Sequence, residues 1–418
     1  MNPTVIGLIG IVVLLVVFFS RMPVAYAMVL VGFLGFSVVL NRQAGLALLA
    51  RDIYDSFSSY GLTVIPLFIL MGQFAFNAGI SRKLYDTAYK FVGHLTGGLA
   101  MATVCACTAF GAVCGSSPAT AATMATVGLP EMKRYGYADE LAAGSVASGG
   151  SLGMLMPPSV VLIVYGILTE QSIGELFIAG IAPAVFITIC FIAAVVIFAK
   201  IYPEQGPPGQ KFTLKERLMS LTDMGETLAV FVLVMGGLFL GWFTPTEAGG
   251  VGAAGVLVVA LIRRQMSWSG IVKSLYETLR TSCMVLLLIA GAVIFGHFLA
   301  VTRIPFQVAD WVGGMALPAW AVIGMIVLVY LIGGCFIDAL ALIMLTIPIF
   351  YPIVTNLGYD PIWFGVIIVL VTQMGVITPP VGINVYVVSG VAPDVKLESI
   401  FKGALPFLAA LIFGTAAL

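Results

Sequence analysis

Two short phrases carry the residue types and spacings that could do chemistry. Residues 148–160 read SGGSLGMLMPPSV and residues 370–382 read LVTQMGVITPPVG; Gly153 stands four residues ahead of Pro157-Pro158, and Gly375 four ahead of Pro379-Pro380. Proline has no N–H, and its ring meets the carbonyl one turn back, so carbonyls around Met156 and Thr378 lose their helical partners inside apolar segments. Such backbone survives at bilayer depth only where it is buried in protein or lines a cavity, and a matched pair of interruptions points to a binding site. Ser116, Ser117 and Pro118 interrupt a third apolar run and Asp338 a fourth. Hydroxyls, freed carbonyls and one carboxylate make a hard oxygen donor set that suits Na⁺ without excluding a proton. No Lys or Arg lies near these interruptions, which leaves a bound cation or a proton as the partner of Asp338. A plain proline kink and a helix-capping Asp are the structural alternatives. Asn384, one turn past the second break, could join ion or substrate, or act as interhelical glue; Thr120 and Thr123 are weaker candidates of the same sort.

The elements that must position these residues come in two copies. Pro379 lies 222 residues after Pro157, and the same spacing joins Pro130 to Pro352, Gly136 to Gly358, Tyr137 to Tyr359, Gly153 to Gly375 and Pro158 to Pro380. Glu175 and Glu398, Gly180 and Gly403, and Pro183 and Pro406 are 223 apart. The two halves read as copies of one unit.

Of 418 residues, 61% are hydrophobic and 9% charged, with a mean hydropathy of +1.11. That is more apolar surface than soluble cores bury, so the chain is expected to be an all-α polytopic membrane protein. Formal net charge is zero, which offers nothing to nucleic acid. The six cysteines form no CxxC or His-flanked pattern and read as small buried hydrophobes. The first apolar stretch, 5–20, lacks a basic leader and a small-residue cleavage pattern, and is expected to stay as a helix.

In chain order, the pattern predicts N-terminal scaffold helices over 1–60, with a turn at Arg21-Met22-Pro23 and an amphipathic stretch LALLARDIYDSFSSYG at the interface. A first repeat over 61–200 holds a helix near 62–78, a surface helix in SRKLYDTAYKFVGH, a re-entrant hairpin at about 97–130 turning at Gly115-Ser116-Ser117-Pro118, and a broken helix at about 139–168. A polar linker over 201–225 precedes scaffold helices over 226–280, the last part amphipathic. The second repeat, 281–418, begins with a span near 281–300 and holds a hairpin at about 318–357 and a broken helix at about 361–390. With both hairpins re-entrant and both termini outside, every Lys and Arg, Arg21 included, falls on the cytoplasmic side except Arg42, Arg51 and Arg303. The hairpins then enter from opposite faces, as an inverted repeat requires.

Several other signals carry little. GVGAAG at 250–255 lies within an apolar span without a flanking strand, and with GxxxG at Gly111/Gly115, Gly149/Gly153 and Gly237/Gly241 it reads as close helix packing. No GxxxxGK[ST] occurs, so no P-loop hydrolyses ATP here. His94 and His297 lack metal-ligand neighbours and read as structural.

GSSPATAATMATVGLPEMKRYGY, SLGMLMPPSVVLIVYGILTEQSIGELFIAGIAPA and QMGVITPPVGINVYVVSGVA resemble the large membrane subunit of tripartite ATP-independent periplasmic (TRAP) transporters, over nearly the whole chain. The resemblance implies Na⁺-driven uptake of an organic acid, a carboxylate or sialic-acid-like solute, across the bacterial inner membrane. It further implies an elevator-type transport domain, a separate small four-helix membrane subunit and a periplasmic substrate-binding protein as partners, and two or more coupling Na⁺. Carried over by position, Ser116, Ser117 and Pro118 with Met156, Pro157 and Ser159 would frame one Na⁺ site. Gly334 and Asp338 with Thr378, Pro379 and Gly382 would frame the other, and substrate would lie between them near Ser116, Ser159 and Asn384. The alternatives are a stand-alone Na⁺/carboxylate symporter, an ion channel, and a membrane enzyme, for which no nucleophile, base and orienting group fall together.

Overall fold

A computed structural model describes residues 2–18, 22–308 and 318–418. Ser20, the expected end of the first helix, and Arg21, the first residue of the expected turn, lie outside them. Among the described residues the chain is helical throughout. In the first half these are α1 (Pro3–Phe18), α2 (Val24–Val39), α3 (Arg42–Ser58), α4 (Val64–Asn77), α5 (Ile80–Val92), α6 (Gly98–Cys114), α7 (Ser117–Arg134), α8 (Asp139–Ser151), α9 (Val160–Thr169) and α10 (Ile173–Ile201). In the second they are α11 (Leu214–Phe239), α12 (Pro245–Ile262), α13 (Trp268–Thr302), α14 (Ala319–Gly334), α15 (Ala339–Asn356), α16 (Pro361–Gly375), α17 (Ile383–Val391) and α18 (Leu397–Ala417). Among the described residues, six segments are long and apolar enough to cross a membrane: 60–77, α10, α12, α13, α15 and α18. Exposed Leu8, Val12 and Val16 on α1 and Ile189 and Ile197 on α10 are faces that hydrocarbon, not water, would cover.

Helix starts keep the spacing seen in the prolines. Helices α7 and α15 begin at Ser117 and Ala339, and α8 and α16 at Asp139 and Pro361, both 222 residues apart; α9 and α17 begin 223 apart, at Val160 and Ile383. The starts are set locally. Asp338 and Asp360 accept from the N–H groups of Leu340 and Trp363 at 3.0 and 2.8 Å, each satisfying one of the N–H groups a helix leaves unpaired.

Two expectations about segment extent are corrected. The polar linker does not reach residue 225: α11 starts at Leu214, because Thr213 and Glu216 form a reciprocal capping box that nucleates helix in a stretch of mixed charge. What remains of the linker is pinned down. Gly97 N–H donates to Gly206 O at 2.8 Å, Ala138 N–H to Gln205 O at 3.0 Å and Gly209 N–H to Gly93 O at 2.7 Å, so the connection between the halves lies across the base of α6 and α8. Second, the amphipathic 263–280 stretch and the following span are not separate elements. From Trp268 onward they form the single helix α13, 35 residues long, with no Pro or C-terminal Gly near residue 280 to stop it.

Helix α13 packs against α2, α3 and α4. Its His297 Nδ1 meets Asp52 Oδ2 of α3 at 2.8 Å, with Asp52 buried, so the amphipathic α3 is fastened to the bundle at one of its charged positions. At the other end, α8 packs against α7 and α18 through backbone approaches that only glycine permits: a Cβ on Gly403 would stand 1.8 Å from Glu140 O.

Candidate functional site

The first hairpin turns between α6 and α7 at Gly115 (φ +65°) and Ser116. A Cβ at Gly115 would lie 2.6 Å from Pro158 O, so the turn seats directly on the first broken segment. Gly115 O accepts from Val160 N–H at 3.2 Å, and Ser116 O accepts from the N–H and hydroxyl of Thr120 at 3.0 and 2.8 Å. Pro118, in the first turn of α7, occupies a place where the missing N–H costs nothing.

The break after α8 begins well before its prolines. Pro157 and Pro158 cannot donate to Gly153 and Met154, so the helix closes in a 3-10 turn over Leu152–Met154 and Leu152 O takes both Leu155 and Met156 N–H groups. Ser159 bridges the far side of the gap: its buried hydroxyl donates to Met154 O and accepts from Leu162 N–H at 3.3 Å, capping α9. The second break is built alike. The Thr378 hydroxyl donates to Met374 O at 2.6 Å, Val381 N–H donates to Cys335 O in the second hairpin turn at 3.2 Å, and the chain re-enters helix from Gly382 at φ +58°. Both Pro-Pro peptide bonds are cis. Among the described residues nothing donates to the carbonyls of Met156, Pro157 and Pro158, or of Ile377, Thr378, Pro379 and Pro380. Pro157 and Pro158 are buried, whereas Pro379 and Pro380 are exposed.

Glycine sets the distance between hairpin and break in both halves. A Cβ on Gly111 would lie 2.7 Å from Gly153 Cα, and one on Gly375 2.3 Å from the carbonyl carbon of Gly334. Gly111 and Gly153, expected to mark close packing, thus hold the first hairpin's first helix against its broken segment, and Gly334 and Gly375, not singled out for packing, do the same in the second half.

The halves are joined at Asn384. It is fully buried; its Oδ1 accepts from Ser117 Oγ at 2.9 Å, its Nδ2 donates to Ala147 O at 2.9 Å, and its N–H donates to Val376 O at 3.0 Å. Asn384 therefore ties the first hairpin tip and α8 through its carboxamide and the second break through its backbone N–H.

The two hairpin turns meet at a cavity of about 280 Å³. Its wall takes Gly115–Ala119 from the first hairpin, Asp338, Ala339 and Leu340 from the second, Met154, Val160 and Val161 from the first broken helix, Ile69 from α4, and Thr281, Met284 and Val285 from α13. Ser116 and Asp338 are half-buried on this wall. Asp338 caps α15 through Leu340 N–H, and among the described residues no cationic side chain pairs with it.

Of the residues singled out from sequence, Ser116, Ser117, Pro118 and Asp338 come together on this wall. Met156 and Pro157 lie in the first break beside it, and Gly334, Thr378, Pro379 and Gly382 lie around the second. Ser159 and Asn384, expected near substrate, are elsewhere occupied: Ser159 caps α9 and Asn384 is the interhelical clasp. Sequence reasoning missed Ile69, Thr281, Met284 and Val285, which sit in uninterrupted helix with no glycine or proline to mark them. Gln373, wholly buried with both amide ends unpartnered among the described residues, was also missed; a carboxamide in the middle of an apolar run was the available signal.

The sequence pattern of the "Tripartite ATP-independent periplasmic transporter, DctM component" matches residues 11–418. The C4-dicarboxylate TRAP transporter large permease protein DctM of Pseudomonas aeruginosa is 38% identical over 377 residues, covering 90% of this chain and 88% of its own. The sialic acid TRAP transporter large permease protein SiaM of Vibrio cholerae is 32% identical over 392 residues, covering 93% and 90%. In fold, the chain is similar to the YdaH transporter of Alcanivorax borkumensis, with a TM-score of 0.57 at 15% identity over 90% of this chain and 88% of the other. On the pattern match along residues 11–418 and on these relatives, the chain belongs to the DctM family of TRAP transporter large permease components, multi-pass membrane proteins that are not enzymes.

Proposed function

We propose that this chain is the large membrane component of a Na⁺-driven importer that takes an organic acid from a periplasmic binding protein and releases it in the cytoplasm. The observation that carries the reading is the cavity where two hairpin turns converge, with Asp338 on its wall lacking a cationic partner and the undonated Pro158 carbonyl packed against Gly115 of that wall. A carboxylate and hydroxyl and carbonyl oxygens at bilayer depth suit a monovalent hard cation. The first site comprises Ser116 and Ser117 with the Met156 and Pro157 carbonyls; the second comprises Asp338 and Gly334 with the Thr378 and Pro379 carbonyls and Gly382. The names of relatives point to C4-dicarboxylates and sialic acid, both organic acids. Each net positive charge moving inward gains about 2.3 kcal/mol per 100 mV, so two Na⁺ with a monoanion such as N-acetylneuraminate draw on both potential and gradient, whereas two Na⁺ with a dicarboxylate dianion draw on the gradient alone.

The near-constant spacing of helix starts supports a repeat, and the Lys and Arg distribution supports its inversion, with re-entrant hairpins from opposite faces and termini in the periplasm. Family membership supports a small four-helix subunit beside this chain, enlarging a scaffold against which the hairpins and broken helices move as an elevator. Proteoliposome uptake tests the whole reading. Uptake of succinate or N-acetylneuraminate by the reconstituted permease is expected only with an inward Na⁺ gradient and a cognate binding protein; robust uptake by this chain alone would favour the self-sufficient symporter.

A further inference from the structure

Helices α4 and α13 flank the cavity from outside the hairpins, and both turn polar toward the same end. Ile69 of α4 and Thr281 and Val285 of α13 line the cavity. At 3.6 residues per turn, Ser274 and Thr278 fall on the α13 face that Thr281 and Val285 occupy, while Gln73 and Asn77 follow Ile69 along α4 in four-residue steps. The helices run antiparallel here. Asn77 Nδ2 donates to Ser274 Oγ at 2.9 Å, and Ser274 Oγ approaches Gln73 O at 3.3 Å. Ser274 thus lies about 10 Å of helix beyond Thr281, at the seven-residue spacing between them.

Buried hydroxyls in this bundle ordinarily donate to a carbonyl one turn back, as Thr103 does to Leu99, Thr108 to Val104 and Thr346 to Leu342. Thr278 and Ser282 do not: both are more than nine-tenths buried, and neither hydroxyl has a hydrogen-bond partner among the described residues. A buried polar group left unpaired is costly. Thr278 stands one turn from the cavity wall, on the face that continues it, where a polar solute or a file of water passing between α4 and α13 would satisfy it.

We propose that the seam between α4 and α13, from Thr281 through Thr278 to Ser274 with Gln73 and Asn77 opposite, is the hydrated path by which the solute leaves the cavity. On it, Thr281 donates its hydroxyl to a carboxylate of the solute. The path rests on the transport reading above and runs toward the α13 terminus that follows Arg263 and Arg264, the cytoplasmic end by the distribution of positive charge.

Native Cys283 is exposed on the far side of the same helix and supplies the control. With the six native cysteines replaced, Thr278→Cys, Thr281→Cys and a variant that keeps Cys283 alone are treated, in inside-out membrane vesicles holding the permease complex, with a charged membrane-impermeant methanethiosulfonate. Modification requires thiolate and water, so Thr278→Cys and Thr281→Cys are expected to react at least about tenfold faster than Cys283. Reaction at neither position, or at Thr281→Cys alone, in variants that assemble into the complex at the level of the unsubstituted chain, would overturn the path. If Thr278→Cys fails to fold, Gln73→Cys on the facing wall gives the same readout. Uptake by the unsubstituted complex is measured separately: its failure counts against the transport reading, whereas the labelling pattern alone decides whether the seam is wet.

Discussion

Asp338 holds two roles that substitution can separate. Its carboxylate caps α15 and also faces the cavity, and asparagine is nearly as good a cap as aspartate while carrying no charge. Asp338→Asn is therefore expected to keep the fold but raise the Na⁺ concentration for half-maximal uptake at least about tenfold, on the footing that an intramembrane carboxylate is costly without a cation. An unchanged Na⁺ activation curve would reduce Asp338 to a cap. Asn384→Leu, by contrast, leaves the buried Ser117 hydroxyl without its acceptor and removes a side-chain donor from the Ala147 carbonyl of α8; a loss of about 1–3 kcal/mol is expected, read as a lowered Tm in detergent. Outside the membrane, Lys133 pairs with Asp394 and holds its carboxyl below the usual aspartate range. A lowered folded-state pKa contributes stability above the ordinary value near 3.9 and loses it as pH falls through the lowered one. Asp394→Asn should therefore leave the uptake profile between about pH 5 and pH 8 unchanged, and a shift in that window would show that the pair does more than brace the fold.

At the level of elements, the spacing of hairpin against broken helix is set by glycine pairs. A methyl at Gly375 would meet Gly334 backbone at 2.3 Å, whereas one at Gly390 meets nothing within 4 Å. Gly375→Ala is expected to cost about 1–3 kcal/mol through overpacking against backbone that cannot yield. Gly390→Ala, inside α17, should be neutral or gain up to about 1 kcal/mol from helix propensity. Equal Tm values for the two variants would show that the hairpin is not held at this contact. The double prolines and the GSSP turn were legible because punctuation residues act over one helical turn. The start of the first break at Leu152 also follows from one-turn sterics, since removing two N–H donors strands the carbonyls four residues back. The continuity of α13 was less legible, because a change from amphipathic to apolar pattern alters what a helix faces without stopping it.

For the whole molecule, sidedness is the property most open to test. If the charge count gives the orientation, Lys211→Cys in the linker and Arg42→Cys at the start of α3 should be labelled by an impermeant maleimide from opposite faces of the membrane; labelling of both from one face would refute the inverted arrangement. The linker between the halves is not slack, since Gly206, Gln205 and Gly209 bond to Gly97, Ala138 and Gly93. It is held to the base of the first hairpin, while α11, which it feeds, packs against α5 and α12.

The sequence by itself determined where this chain must leave helical geometry, which oxygens that frees, and that the pattern occurs twice, because proline, glycine and isolated polar residues act within one turn of chain. Only the tertiary structure decided which of those oxygens reach a common cavity. It spent Ser159 on a cap and Asn384 on a clasp, and it brought Ile69, Thr281 and Val285 from unbroken helices to the wall. A residue in regular helix acquires its role from the neighbour packed beside it, which can come from a distant part of the chain.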